Sequence, residues 1–164
     1  MATATVETRY TPEDLLTMPD EGRFELIDGQ LVQRNMGAKS SYAATRLVVR
    51  IGTFCDSKNA GLVIQSDCGY QIIKPNRVRY ADGSFIRKGR LPSDEPPDGH
   101  CRVAHDLVIE AVSPNDTAPE VEQKVEEWLG AGVRLVWVIY PNTQHVHVHR
   151  HDGTDSKLGA DSAQ

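Results

Sequence analysis

Two carboxylates in this sequence stand where apolar residues are expected, and together they allow one kind of chemistry. In "DLVIEAV", Leu107, Val108 and Ile109 read as a buried strand that Glu110 interrupts before Ala111 and Val112 resume. In "RYADGSFI", Asp82 interrupts an extended segment whose apolar residues resume at Phe85 and Ile86. A carboxylate withdrawn from water is costly unless a cation meets it. If the two segments are neighbouring strands, the carboxylates converge and raise each other's pKa; a divalent cation removes that penalty. Hard oxygen ligands suit Mg²⁺ or Mn²⁺, not zinc. Two plainer readings stay open: Asp-Gly is more often a turn, and Glu110 could pair with an arginine.

A cation is available downstream. In "EVEQKVEEWLGAG" the apolar stripe is Val121, Val125, Trp128 and Leu129, and Lys124 lies at its margin, one turn before Trp128. A lysine there can lay its stem along apolar surface and extend its ammonium toward the sheet. An exposed lysine paired with Glu120 at i,i+4 is the alternative. Other groups are weaker. His145, His147, His149 and His151 share one face of "HVHVHRH", but alternate strand residues are about 6.5–7 Å apart, awkward for one tetrahedral ion. His100, Cys101 and His105 have no second cysteine at ligand spacing and read as ordinary loop residues.

The elements that must position these groups follow from pattern. Thr11-Pro12-Glu13-Asp14 is a helix start. Asp28-Gly29 between "RFELI" and "QLVQ" predicts a tight hairpin. Ala44, Leu47, Val48, Ile51, Phe54 and Cys55 give a helical period from Ser40 to about Lys58. "GLVIQS" and "GYQII" read as strands, and "RVRYADGSFI" as one further extended segment. The apolar runs "DLVIEAV" and "VRLVWVIY" predict central strands buried on both faces, joined by a crossover through the helix at about 118–130. The expected fold is α/β, a mixed central sheet flanked by helices with an N-terminal helix and β-hairpin. Residues 1–152 read as one domain and 153–164 as a disordered or truncated polar tail.

Composition excludes little. No stretch is long and apolar enough for a signal run or a membrane span, and the three cysteines pair with no motif, so a cytoplasmic protein with free thiols is expected. The net charge of −5 makes broad backbone binding to nucleic acid unexpected. "KPNRVR" and "RKGR" are the basic concentrations, read as solvated turns.

"FELIDGQL", "RYADGSFI", "DLVIEAVSPND", "EVEQKVEEWLGAGVRLVWVIYP" and "VHVHR", in this order, resemble the Uma-two family of restriction-endonuclease-like domains within the PD-(D/E)xK nuclease superfamily. The resemblance runs from about Tyr10 to Asp152. It implies that Asp82 and Glu110 hold Mg²⁺ (or Mn²⁺) with the carbonyl of Ala111. Val112 stands where the superfamily lysine is usual, and the resemblance assigns that role to Lys124. Glu25, in "FELIDG", would join the site by holding a water or a second ion. The implied activity is metal-dependent hydrolysis of phosphodiester bonds in nucleic acid, DNA foremost, by a homodimer. The chain departs from its relatives in carrying "AD" before Gly83 where "PD" is usual, Ser40, Ser41 and Tyr42 where a histidine is common, and no further C-terminal strand. A fold kept as an interaction module without cleavage is the competing reading.

Overall fold

The computed structural model describes residues 9–35 and 37–159. Residues 1–8, read above as free of a signal run, and the last tail residues, 160–164, lie outside the described residues. The chain opens with α1 (Pro12–Thr17), where the Asp14 N–H donates to Thr11 Oγ1 and the Thr11 N–H to Asp14 Oδ2. This reciprocal cap is what Thr-Pro-Glu-Asp encodes. The hairpin of β1 (Phe24–Ile27) and β2 (Gln30–Gln33) turns through Asp28 and Gly29, at φ of 51° and 88°. Two positive φ values make a turn matched to strand twist, which explains the Asp-Gly pair. After these come α2 (Ala38–Lys58), β3 (Gly61–Gln65), β4 (Gly69–Tyr70), β5 (Arg79–Tyr80), β6 (Gly83–Arg87) and β7 (Leu107–Ala111). The chain closes with α3 (Ala118–Gly130), β8 (Leu135–Tyr140), β9 (His145–Arg150) and β10 (Asp155–Gly159).

Six strands form a mixed sheet in the order β10-β9-β8-β7-β6-β3. Its central pair, β7 and β8, is parallel and joined through α3, and every other pairing is antiparallel. The two helices cover opposite faces. Ala44, Leu47, Val48 and Ile51 of α2 pack on Leu107, Ile109, Ala111 and Ile139. Val125 and Trp128 of α3 pack on Val108, Val136 and Val138. Because strand side chains alternate, Glu110 shares the α3 face with Val108. Among the described residues, no helix is long and apolar enough to cross a membrane.

Three expectations change. "RVRYADGSFI" divides: Arg79–Tyr80 pairs with β4 in a separate small sheet, and only Gly83–Arg87 joins the main one. Asp82-Gly83 is accordingly not a turn, since Gly83 opens a strand. A Cβ at Gly83 would lie 2.6 Å from Val48 Cγ2, so glycine here lets α2 seat closely on the sheet beside Asp82. Gly83→Ala is expected to cost about 1–3 kcal/mol through overpacking. Urea unfolding checks it: the second substitution Val48→Ala should recover part of the loss, and additive costs would mean the two sites do not touch. The tail, expected to be disordered from residue 153, instead adds β10 to the sheet edge, with Lys157 opposite His147. Its alternation is masked by polar composition, as suits an edge strand. Finally, Cys101 and His105 lie in the core, not on a loop surface. Cys101 Sγ is 3.5 Å from His105 Nε2, whose ring stands edge-on to Tyr70. Burial pushes the His105 pKa down to about 3, keeping it neutral.

Candidate active site

Glu110 lies near the C-terminal end of β7, and two residues of one helix turn reach it. The Trp128 Nε1–H donates to Glu110 Oε1 at 2.8 Å, and Lys124 Nζ stands 3.7 Å from Glu110 Oε2. Their i,i+4 spacing on α3 sets both on the same side of the helix, facing the strand. Lys124 therefore takes the inward position allowed by its place at the stripe margin. Its ammonium is also 3.8 Å from Glu25 Oε1. The proximity of Glu110 holds the Lys124 pKa above the usual lysine range, against the effect of burial.

Asp82 arrives from the neighbouring strand. Its N–H donates to the Ile109 carbonyl at 3.0 Å, and its Oδ2 accepts from the Ala111 N–H at 2.7 Å, so it bonds to the residues on either side of Glu110. A side-chain carboxylate here stands in for a ladder partner where the pairing of β6 and β7 ends. Burial raises the Asp82 pKa, offset in part by the Ala111 N–H and then by Lys124 and Arg34. Burial likewise pushes Glu110 up to about 7, with Lys124 opposing and then Asp82 and Glu25 adding to the rise. Both carboxylates thus carry the electrostatic penalty that a divalent cation relieves. Among the described residues, no three His, Cys, Asp or Glu side chains converge at ligand spacing. A cation held here would take two carboxylates, with backbone carbonyl and water completing its oxygen shell, a set that suits Mg²⁺.

Glu25 is brought to the same point but is already engaged. Its Oε2 accepts from Arg79 Nη1 at 2.6 Å and its Oε1 from the Tyr80 N–H at 3.2 Å. It is suited to orient Lys124 rather than to accept a further ligand. The arginine continues the chain of charges: Arg79 Nε donates to Glu127 Oε2 at 2.8 Å, Arg77 Nη1 donates to Glu127 Oε1, and Arg77 Nη2 to Asp28 Oδ2 at 2.5 Å. "KPNRVR" is therefore a solvated turn only over Lys74, Pro75 and Asn76; Arg77 and Arg79 are buried.

Sequence reasoning also missed Arg34. Its guanidinium donates to the carbonyls of Gly22 (2.8 Å) and Ser66 (3.3 Å), lies 4.9 Å from the Tyr80 ring centre and reaches within 3.9 Å of Asp82 Oδ1. It borders a cleft of about 350 Å³ that exposes Asp82 and is lined further by Asn35, Ser40, Ser41, Thr45 and Gln65. Nothing local in "LVQRN" marks it, because its partners come from three separate segments. Ser40 and Ser113 share a hydrogen bond at 2.9 Å, tying the start of α2 to the end of β7. The histidines of β9 form a row beside Tyr140, which stacks on His145, with histidine ring centres 4.9 Å and 6.1 Å apart. They lie apart from this cluster; Val121, Val125 and Leu129 of α3 border the groove beside them.

The sequence matches a family model over residues 12–160, that of Uma2, described as "Putative restriction endonuclease". No curated protein matches. Among solved structures, the chain is similar to one titled a "putative nuclease belonging to DUF820" from Anabaena variabilis. The two share 22% identity and a TM-score of 0.72, over 90% of this chain and 83% of that one.

Proposed function

The chain belongs to the Uma2 family, and on that premise we propose that it is a metal-dependent nuclease that hydrolyses phosphodiester bonds, with DNA as its first candidate substrate. The observation that carries this reading is that Asp82, open to a polar cleft, accepts from the Ala111 N–H next to Glu110, which in turn faces Lys124. Asp82 and Glu110, with the carbonyl of Ala111, would hold Mg²⁺ or Mn²⁺. Bound there, such an ion neutralises phosphate charge and lowers the pKa of water. Lys124 orients the attacking water or offsets charge growing on the phosphorane. Glu25, itself anchored by Arg79, holds the Lys124 ammonium in place. Arg34 keeps Asp82 turned toward the cleft.

The first test is a calorimetric titration with Mn²⁺ on the protein and on Asp82→Ala and Glu110→Ala, with His147→Ala as the control for the histidine row. Binding lost in both carboxylate variants and kept in the control is expected, followed by Mg²⁺-dependent cutting of plasmid DNA. Binding that depends only on the histidines would sink the two-carboxylate site and favour an interaction module. Cutting of both strands would use a homodimer, which light scattering on the same samples reports.

A further inference from the structure

The chain is acidic, with a net charge of −5, yet its charge is divided between the two helices. On α2, Lys39, Arg46, Arg50 and Lys58 face a lone carboxylate, Asp56; on α3, the exposed Glu120, Glu122 and Glu126 face one cation, Lys124, while Glu127 is taken up by Arg77 and Arg79. These helices cover opposite faces of the sheet, so one side of the molecule is basic and the other acidic. Pairing sharpens the contrast. Elsewhere most buried or half-buried cations meet carboxylates, as Arg77, Arg79, Arg90 and Lys124 do. Among the described residues the α2 cations meet none: Lys39 donates to Asn142 Oδ1 at 2.8 Å and Arg46 to the Tyr42 hydroxyl at 3.1 Å, both neutral partners.

Position adds to charge. At 3.6 residues per turn, Lys39, Tyr42, Arg46, Arg50 and Thr53 fall on one stripe, opposite the buried Ala44 and Cys55 and the half-buried Ile51. From Lys39 to Arg50 the stripe spans roughly 16 Å at 1.5 Å per residue. Tyr42 is 63% exposed and the Arg46 guanidinium lies 5.8 Å from its ring centre, so the aromatic face is open to solvent. The next residues around the helix, Ala38 and Thr45, line the cleft that exposes Asp82. The stripe therefore runs up to the rim of that cleft.

We propose that the outer face of α2 is the track on which a nucleic-acid backbone lies, its phosphates on Lys39, Arg46 and Arg50, leading one phosphodiester past Arg34 to Asp82. The proposal rests on the nuclease reading and adds the surface and direction of approach. It reconciles an acidic chain with a polyanionic ligand: the field that attracts phosphate is confined to one face, and the acidic α3 face repels it.

Fluorescence anisotropy with a labelled 25-base-pair duplex, in EDTA so that nothing is cut, tests the track. The triple variant K39Q/R46Q/R50Q is compared with K88Q/R102Q/K157Q, which removes equal charge from other exposed positions. The α2 variant is expected to bind at least tenfold more weakly and to lose about 2–3 from the slope of log affinity against log salt, while the control changes little. Equal weakening in both variants, or none in the α2 variant, overturns the track and leaves the nuclease reading standing. Binding that depends on α2 in a protein that cuts nothing with Mg²⁺ or Mn²⁺ keeps the track and removes the nuclease reading. A loss of dimers in the α2 variant, with duplex binding unchanged, would assign the face to a second copy of this chain and overturn the proposal.

Discussion

Glu110→Gln is expected to stabilise the metal-free protein at pH 8 while abolishing the metal-dependent cleavage proposed above. Glutamine keeps the shape and can still accept from Trp128, but carries no charge into the core. The sign follows from the raised pKa. Below about 4.5 the glutamate is protonated in both folded and unfolded chains and costs nothing. Between 4.5 and about 7 the unfolded chain ionises first, so folding stability falls as pH rises. Above 7 the full penalty persists, on the order of 3 kcal/mol. Thermal unfolding in EDTA should therefore give the variant a higher Tm than the parent at pH 8 and no advantage at pH 4.5. Added Mn²⁺ should stabilise the parent and leave the variant unmoved. Withdrawing the several kcal/mol that cation binding lends the transition state corresponds to roughly a 10³-fold loss of rate. A variant destabilised at pH 8 would mean that the pair with Lys124 outweighs the burial of the charge.

Glu127→Gln is expected to be the most destabilising single change in the charge network. The Glu127 carboxylate is 10% exposed and receives both Arg77 and Arg79, whose side chains are 7% and 6% exposed. Breaking such an arrangement leaves two buried guanidinium groups undercompensated, at a cost of about 3–5 kcal/mol. For a chain of this size that lowers Tm by roughly 6–20 °C. Salt should not alter the loss much, because buried pairs are poorly screened. The double substitution with Arg79→Met should recover part of it, measurable as a coupling energy in a double-mutant cycle. A cost below about 1 kcal/mol would place the network in the class of surface pairs.

The two central carboxylates were legible because each interrupts an apolar strand, a local signal that needs no knowledge of the fold. Lys124 was legible as a candidate from its place at the edge of a helical stripe. The hairpin was written in Asp28-Gly29, and the parallel pair of β7 and β8 in two apolar runs separated by a helix. Arg34, Arg77, Arg79 and Glu127 were not legible. What buries them is partners far along the chain, as Arg79 and Glu127 show. Periodicity reports which face a residue takes and says nothing of what waits opposite. Asp82-Gly83 left two readings open for a related reason: the pair is a turn signal by local chemistry, and the close seat of Val48 accounts for a glycine in the strand.

The β1–β2 hairpin carries a consequence for biosynthesis. Glu25 is presented early in the chain, Arg79 midway and Lys124 late, so the pair of Glu25 with Arg79 can form before the contact with Lys124. In a nascent chain the hairpin can seat on Val78 and Tyr80 first, and its Glu25 meets Lys124 only after α3 has been made and packed. Closure over so long a loop comes late in folding, since its entropy must be met before the contacts form. Assembly of the Lys124 position thus reports that the hairpin, β7 and α3 are in place, and a chain folded only as far as the hairpin has no ammonium beside its carboxylates.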